Sequence, residues 1–262
     1  MTKQKQIPVS VYVITKNEEE NIVSLLNNLK NFAEVIIVDS GSTDRTLALA
    51  ASYSNTKVSF NEWLGFSEQK AHALSLCRFP WVLNLDADET LSDTFINELD
   101  SFIKQEHFVA LRCNRILLRW GRQPRCFGKT EKLIRLFKKD SGHYESRQVH
   151  ESISISGPVK ETEAEILHHE NLSYSQRIEK TVFYAKLKAQ DKFNKGDRTN
   201  ILVVLLIFPL TFIRTYLFKG HFLDGFGGVL TSVNVGFYNY MKYANLWDMN
   251  KRAQRKSNFE KS

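Results

Sequence analysis

Two carboxylates one residue apart, Asp86 and Asp88, directly follow the apolar run Trp81–Leu85. At the end of a buried strand both can point into a cleft. Carboxylate oxygens suit hard divalent cations such as Mg²⁺ or Mn²⁺, which can share their coordination with phosphate oxygens. Such an ion would neutralise charge on a departing diphosphate. Asp-X-Asp alone is common in loops and caps, so its weight depends on what else reaches the same place. Asp39 closes a second apolar run, Val35–Val38, where a carboxylate can accept hydrogen bonds from a nucleoside base or ribose; it could equally cap a helix beginning near Ser42. Thr15, Asn17 and Glu18 follow a third run. Taken alone they read as a helix start, with Asn17 as cap and Glu20 completing a capping box. Lys70 could face a diphosphate, and Arg135 could pair with phosphate oxygens through its guanidinium.

The elements that must position these residues alternate. Strands are predicted at Val9–Thr15, Val35–Val38, Lys57–Phe60 and Trp81–Leu85 from their β-branched and aromatic runs. Between them, Ile22, Leu25, Leu26 and Leu29 recur on one helical face, and further helices are predicted after Ser42, over Ser67–Cys77 and over Ser92–Ile103. Parallel strands need crossover connections, so this alternation predicts an α/β fold with a mostly parallel sheet. Ligands in such sheets bind beyond the carboxyl ends of the strands. The clusters Thr15–Glu18, Asp39–Ser42 and Asp86–Asp88 would all converge there, which three unrelated helix caps would not explain.

After residue 104 the pattern changes. Phe108–Arg119 and Lys132–Phe137 read as strands joined by a basic loop containing glycine and proline, and the chain turns helical from Tyr174. Asp224 to Gly228 reads as a turn between helices. Thr199–Ile213 is an uncharged, very apolar run of 15 residues with Lys192, Lys195 and Arg198 before it and Arg214 and Lys219 after it. It falls short of the ~20 residues of a spanning helix. A buried core helix is one reading; a helix lying in a membrane interface, its flanking cations near lipid head groups, is the favoured one.

Composition is that of an ordinary globular protein, and 36 Lys+Arg against 29 Asp+Glu gives a net charge of +7. That excess favours anionic partners, and much of it sits between Arg112 and Lys139 and in the tail from Lys251. No groove-reading motif accompanies it, so nucleic acid is not an expected partner. The three cysteines, Cys77, Cys113 and Cys126, lack ligand spacing and read as reduced thiols. The polar N-terminus has no apolar core of signal-peptide length, which points away from secretion.

The strings Val13-Ile14-Thr15-Lys16-Asn17-Glu18-Glu19, Ile36-Ile37-Val38-Asp39-Ser40-Gly41-Ser42-Thr43-Asp44-Arg45-Thr46, Trp63-Leu64-Gly65-Phe66 with Gln69-Lys70, and Trp81 through Glu89 resemble, in order and spacing, family 2 glycosyltransferases of the GT-A (nucleotide-diphospho-sugar transferase) fold. Arg135-Leu136-Phe137, Val149-His150-Glu151, His168 and Leu223-Asp224-Gly225 with Gly228 extend the likeness toward the lipopolysaccharide inner-core β-1,4-glucosyltransferases. The resemblance implies a nucleotide-sugar-binding half at 1–103, an acceptor-binding half of the same domain at 104–172 and a helical, membrane-associating segment at 173–262. It implies donor binding by Thr15, Asn17, Glu18, Asp39, Lys70, Asp86 and Arg135. Asp88, helped by Asp86, would ligate Mg²⁺ or Mn²⁺, and Glu151 would be the catalytic base of an inverting transfer. The expected donor is UDP-glucose, and the expected acceptor a lipid-linked oligosaccharide at an anionic membrane surface, with the enzyme peripheral on the inner face of the bacterial cytoplasmic membrane. Alternatives are transfer to a polyprenyl phosphate, transfer to a capsule or O-antigen precursor, and a non-catalytic nucleotide-sugar or membrane-binding protein.

Overall fold

The computed structural model describes residues 6–125, 130–144 and 153–259. Two compact units emerge, Met1–Gly121 with Thr130–Glu170, and Arg122–Lys129 with Asn171–Ser262. In chain order the first unit runs β1 (Ile7–Thr15), α1 (Ile22–Asn28), β2 (Phe32–Asp39), α2 (Thr46–Ala50), β3 (Thr56–Phe60), α3 (Phe66–Leu76), β4 (Trp81–Asp86), β5 (Glu89–Leu91), α4 (Asp93–Phe102), β6 (Ala110–Arg119), β7 (Glu131–Lys138), β8 (Gly142–Tyr144), β9 (Ile153–Ile155) and β10 (Val159–Glu170).

Eight strands form one sheet in the order β3-β2-β1-β4-β7-β6-β10-β5, and β8 pairs with β9 separately. β3, β2, β1 and β4 are all parallel, as are β6 and β10; β7 runs antiparallel to both its neighbours, and β5 to β10. The stretches 1–103 and 104–172 thus contribute strands to one sheet. Alternation along β1 explains its burial on both faces. Val9, Val11 and Val13 pack with α1, α2 and α4 on one side, whereas Tyr12 packs with Ala73, Leu74 and Cys77 of α3 on the other, where β8 and β9 also lie. The Cys77 and Cys113 thiols are free and buried.

Two local expectations change, and two strands were not anticipated. The chain after β1 does not use Asn17 as a helix cap: Asn17 sits at φ 56° and α1 begins later, after Asn21. The helix expected after Ser42 begins at Thr46. β5 and β10 carry no alternation strong enough to read, because β5 has only three residues and β10 mixes charges with short apolar steps.

The second unit holds α5 (Tyr174–Asn194), α6 (Ile201–Ile213) and α7 (Gly225–Phe259). Ser173 and Gln176 form a capping box at α5. Thr181 donates to Asn234, tying α5 to α7 (3.0 Å). Asn200 caps α6, accepting from the Val203 amide at 3.0 Å. Beyond α6 a π-helical turn, Arg214–Phe218, continues the helix, so the apolar segment Ile201–Phe218 has 18 residues and is apolar and long enough to cross a membrane. This corrects the expectation that the run is too short: the helix does not stop where the first cation appears. Burial in a core is also ruled out. No residue of α6 is buried, and Leu202, Leu205 and Leu210 are 64%, 62% and 60% exposed. The opposite side packs on α7, where Gly236 lies against Phe208. The turn from His221 to Asp224 needs Gly228, since a Cβ there would overlap the His221 carbonyl oxygen.

Candidate active site

Register brings the three polar clusters to one edge. Thr15 pairs with Asp39 across β1 and β2, and Ile14 with Asp86 across β1 and β4. Strand order reverses between β1 and β4, which is where a crevice opens in a sheet of this kind.

Asp39 is almost fully buried (1% exposed). Its Oδ1 accepts from the hydroxyls of Thr15 and Ser42, and its Oδ2 from the amides of Gly41 and Ser42, both at 2.8 Å. Four donors match the capacity of a carboxylate. Asp39 therefore folds the β2–α2 loop, and Gly41 supplies the positive φ (98°) that the turn needs. Asn17 joins the same loop: its Oδ1 accepts from the Thr43 amide and its own amide donates to Ser42 Oγ, each at 2.8 Å. The Glu18 amide donates to Thr46 Oγ1, and the Glu18 carboxylate accepts from Asn21. Thr15, Asn17, Glu18 and Asp39 are thus brought together, laced into two adjoining loops.

A second network surrounds Asp86. Lys70, on α3, donates to its Oδ1 and Arg135, on β7, to its Oδ2, both at 3.0 Å. Burial works against the charged form of Asp86, but Arg135 and Lys70 outweigh it and hold the carboxyl well below the usual carboxylate range. Arg135 is itself buried. Its NH1 donates to Asn84 (2.8 Å), and its NH2 serves Glu89 (2.8 Å) as well as Asp86. Both terminal nitrogens of Arg135 thus donate to protein acceptors, and it holds Asp86 in place.

Asp88 differs from Asp86. Both side chains are about a third exposed (32% and 34%), but where Asp86 meets two cations, Asp88 Oδ1 lies 3.2 Å from Nδ1 of His168, which β10 carries opposite β5. One carboxylate and one imidazole side by side offer oxygen and nitrogen ligands to a divalent cation. Asp86 is a poorer fit as a ligand, since each of its oxygens already faces a cation. Among the described residues no group of three or more His, Cys, Asp or Glu converges on one point. Glu151 and His150 lie outside the described residues.

Four members of the basic run are ion-paired across strands of the sheet unit. Arg112 and Lys132 both meet Glu161, Arg115 meets Glu89 and Glu131, and Arg119 meets Glu170. Sequence reasoning assigned no role to Asn84, Glu89, Arg115 or His168. Glu89 was adjacent to Asp88 and visible; the partnership of His168 with a residue 80 positions away had no local signal.

Comparison with known proteins gives the family. The sequence model of glycosyl transferase family 2 matches residues 10–150. The lipopolysaccharide core biosynthesis glycosyltransferase LpsC of Rhizobium meliloti is 31% identical over 92% of this chain and 93% of its own length. A glycosyltransferase of Rickettsia prowazekii is 28% identical over 94% of this chain and 89% of its own. Among solved structures, TarS 1–349 of S. aureus in complex with UDP aligns over 89% of this chain and 91% of that one, with 17% identity and a TM-score of 0.49. A family match over more than half of its length, together with a relative alike nearly end to end, identifies the chain as a member of glycosyl transferase family 2, a glycosyltransferase of GT-A fold.

Proposed function

We propose that this enzyme transfers glucose from UDP-glucose, with inversion at the anomeric carbon, to a heptose of the lipopolysaccharide inner core while resting on the inner face of the bacterial cytoplasmic membrane. The observation that carries the reading is the division of labour between Asp86, held by two cations, and Asp88, accessible beside His168, at the β1–β4 edge. The likeness to LpsC supports a core acceptor.

On this reading the loops built by Thr15, Asn17, Glu18 and Asp39 receive the nucleoside, and Asp86 uses its remaining lone pairs for a ribose hydroxyl. Lys70 sets positive charge at the diphosphate side of the crevice. Asp88 and His168 would hold Mg²⁺ or Mn²⁺, leaving the rest of the shell to diphosphate oxygens and water. When bound, the ion supplies neutralisation of charge on the leaving diphosphate. Glu151 removes the proton from the acceptor hydroxyl as its oxygen attacks the anomeric carbon in line; the bond to phosphate breaks and UDP leaves with the electron pair.

The exposed face of α6 and its extension supports membrane contact. Eleven exposed large apolar side chains lie between Ile201 and Phe226, with Arg198, Arg214 and Lys219 exposed among or beside them. Because the other side packs on α7, the favoured arrangement lies in the interface plane. The same 18-residue segment also favours a second reading, transfer to a polyprenyl phosphate in the bilayer.

The test is donor turnover with UDP-, GDP- and dTDP-sugars, with Mn²⁺ or Mg²⁺ and then with EDTA, for wild type, Asp88→Ala and Glu151→Gln, using core-heptose and polyprenyl-phosphate acceptors. The reading expects UDP-glucose turnover that EDTA and Asp88→Ala abolish, and a Glu151→Gln enzyme that binds donor without transferring it to the core acceptor. Preference for polyprenyl phosphate would select the second acceptor, and failure of every UDP-sugar would overturn the donor assignment.

A further inference from the structure

Glu89 carries a charge in a place where charge is expensive. It is 0% exposed, and the transfer of an unpaired carboxylate to such a site is strongly opposed. Three donors offset that cost. Oε1 accepts from Arg115 Nε at 2.6 Å and from Arg135 NH2 at 2.8 Å, and Oε2 accepts from the backbone amide of Asp86 at 3.0 Å. Arg135 NH2 is the same nitrogen that donates to Asp86 Oδ2 at 3.0 Å. One guanidinium nitrogen therefore bridges the two carboxylates, while Glu89 also grips the main chain from which the Asp86 side chain projects. In the strand register Glu89 also stands opposite His168 across β5 and β10.

We infer that Glu89 is a positioning residue for the donor site: through Arg135 and the Asp86 amide it sets where the Asp86 carboxylate lies and closes the turn that presents Asp88. The inference rests on the donor-site reading above. Arg135 alone does not suffice, because a guanidinium fork needs acceptors on both arms to keep one orientation. Asn84 orients NH1, and Glu89 orients NH2 toward Asp86. Replacing Glu89 by glutamine conserves volume and one acceptor but removes the charge that holds Arg135. Asp86 would then compete for the guanidinium without a counterweight, and its oxygens would turn from the crevice.

The experiment is UDP binding by calorimetry in the presence of Mn²⁺, with melting temperature, donor KM and kcat measured alongside, for wild type, Glu89→Gln, Arg135→Lys and the double variant. Loss of a hydrogen bond to a charged group predicts UDP affinity and donor KM weakened about tenfold or more in Glu89→Gln, with kcat changed far less. If Glu89 acts through Arg135, the double variant binds UDP no more weakly than the worse single one. A Glu89→Gln protein with a lowered melting temperature but wild-type UDP affinity would overturn the inference, as would losses that multiply in the double variant. Should Glu89→Gln fail to fold, Arg135→Lys decides: it keeps the charge but loses the planar fork that reaches Asn84 as well as the two carboxylates, so wild-type affinity in that variant also overturns the inference. Failure of the wild type to bind UDP would instead strike the donor-site reading itself.

Discussion

The carboxyl edge of the β1–β4 strands and the exposed face of α6 solve opposite problems. At the sheet edge, charged groups are held by the protein: Asp39 by four donors, Asp86 by two cations, Glu89 by three donors. On α6 the side chains are apolar and face outward. The first region has its polar demands met by the protein, so its geometry is preorganised for a charged ligand. The second leaves its apolar demand to something outside the chain. On the proposed reading, a transferase working on a lipid-linked acceptor uses both: charge held inward at the sheet edge and apolar surface turned outward on α6.

The contrast can be broken most severely at Arg135. Arg135→Met leaves Asp86 and Glu89 without their shared cation, and breaking a buried ion pair costs about 3–5 kcal/mol. A large fall in melting temperature, read by calorimetry, is the expected outcome; a wild-type transition would show that the inward network does not support the fold. On α6 the reverse holds. Leu205→Glu with Leu210→Glu changes two exposed residues, so the fold should survive, whereas flotation with anionic vesicles should weaken at least about tenfold if each leucine contributes about 1.5–3 kcal/mol on entering hydrocarbon. Equal flotation of both proteins would remove the membrane role.

A smaller effect sharpens the inward side. Glu34 is 1% exposed. Burial pushes its pKa up, but hydrogen bonds from Ser10 and Arg78, with Lys57, win and bring it down to about 2 from 4.5. A depressed folded-state pKa means that this stabilisation is complete above pH 4.5 and is lost as pH falls toward about 2. Glu34→Gln should be less stable at neutral pH and should flatten the acid limb between those values in urea titrations; an unchanged acid limb would assign that limb to other groups. Smallest of all, Lys132→Ala removes an exposed cross-strand pair with Glu161 and should leave the melting temperature unchanged within about a degree. A larger drop would mean that even the outer ion pairs are structural.

Much of the sheet edge was legible in the sequence because it is built from local signals. Apolar runs ending in Thr15, Asp39 and Asp86 give the strand ends, and crossover helices between them give the parallel order. What each residue does there was less legible. Asp39 could be placed at the edge, but its four donors come partly from Thr15 on another strand. Arg135 lies 49 positions from Asp86, and His168 lies 80 from Asp88, so their pairing follows from β7 and β10 joining the sheet. β7 was legible as a strand but its neighbours in the sheet were not, and β10 mixes charges with apolar residues, so tertiary pairing rather than propensity sets it. The reach of α6 was misjudged for a related reason: Arg214 looked like an end, yet the backbone carries on through a π turn to Phe218.

The measurement that tests the central claim most directly is Mn²⁺ binding in the presence of UDP, followed by electron paramagnetic resonance, for wild type, Asp86→Asn and Asp88→Asn. If Asp88 is the accessible ligand and Asp86 the held one, Asp88→Asn loses UDP-dependent Mn²⁺ binding, while Asp86→Asn keeps it with weaker UDP affinity. Loss in Asp86→Asn with retention in Asp88→Asn would contradict the account.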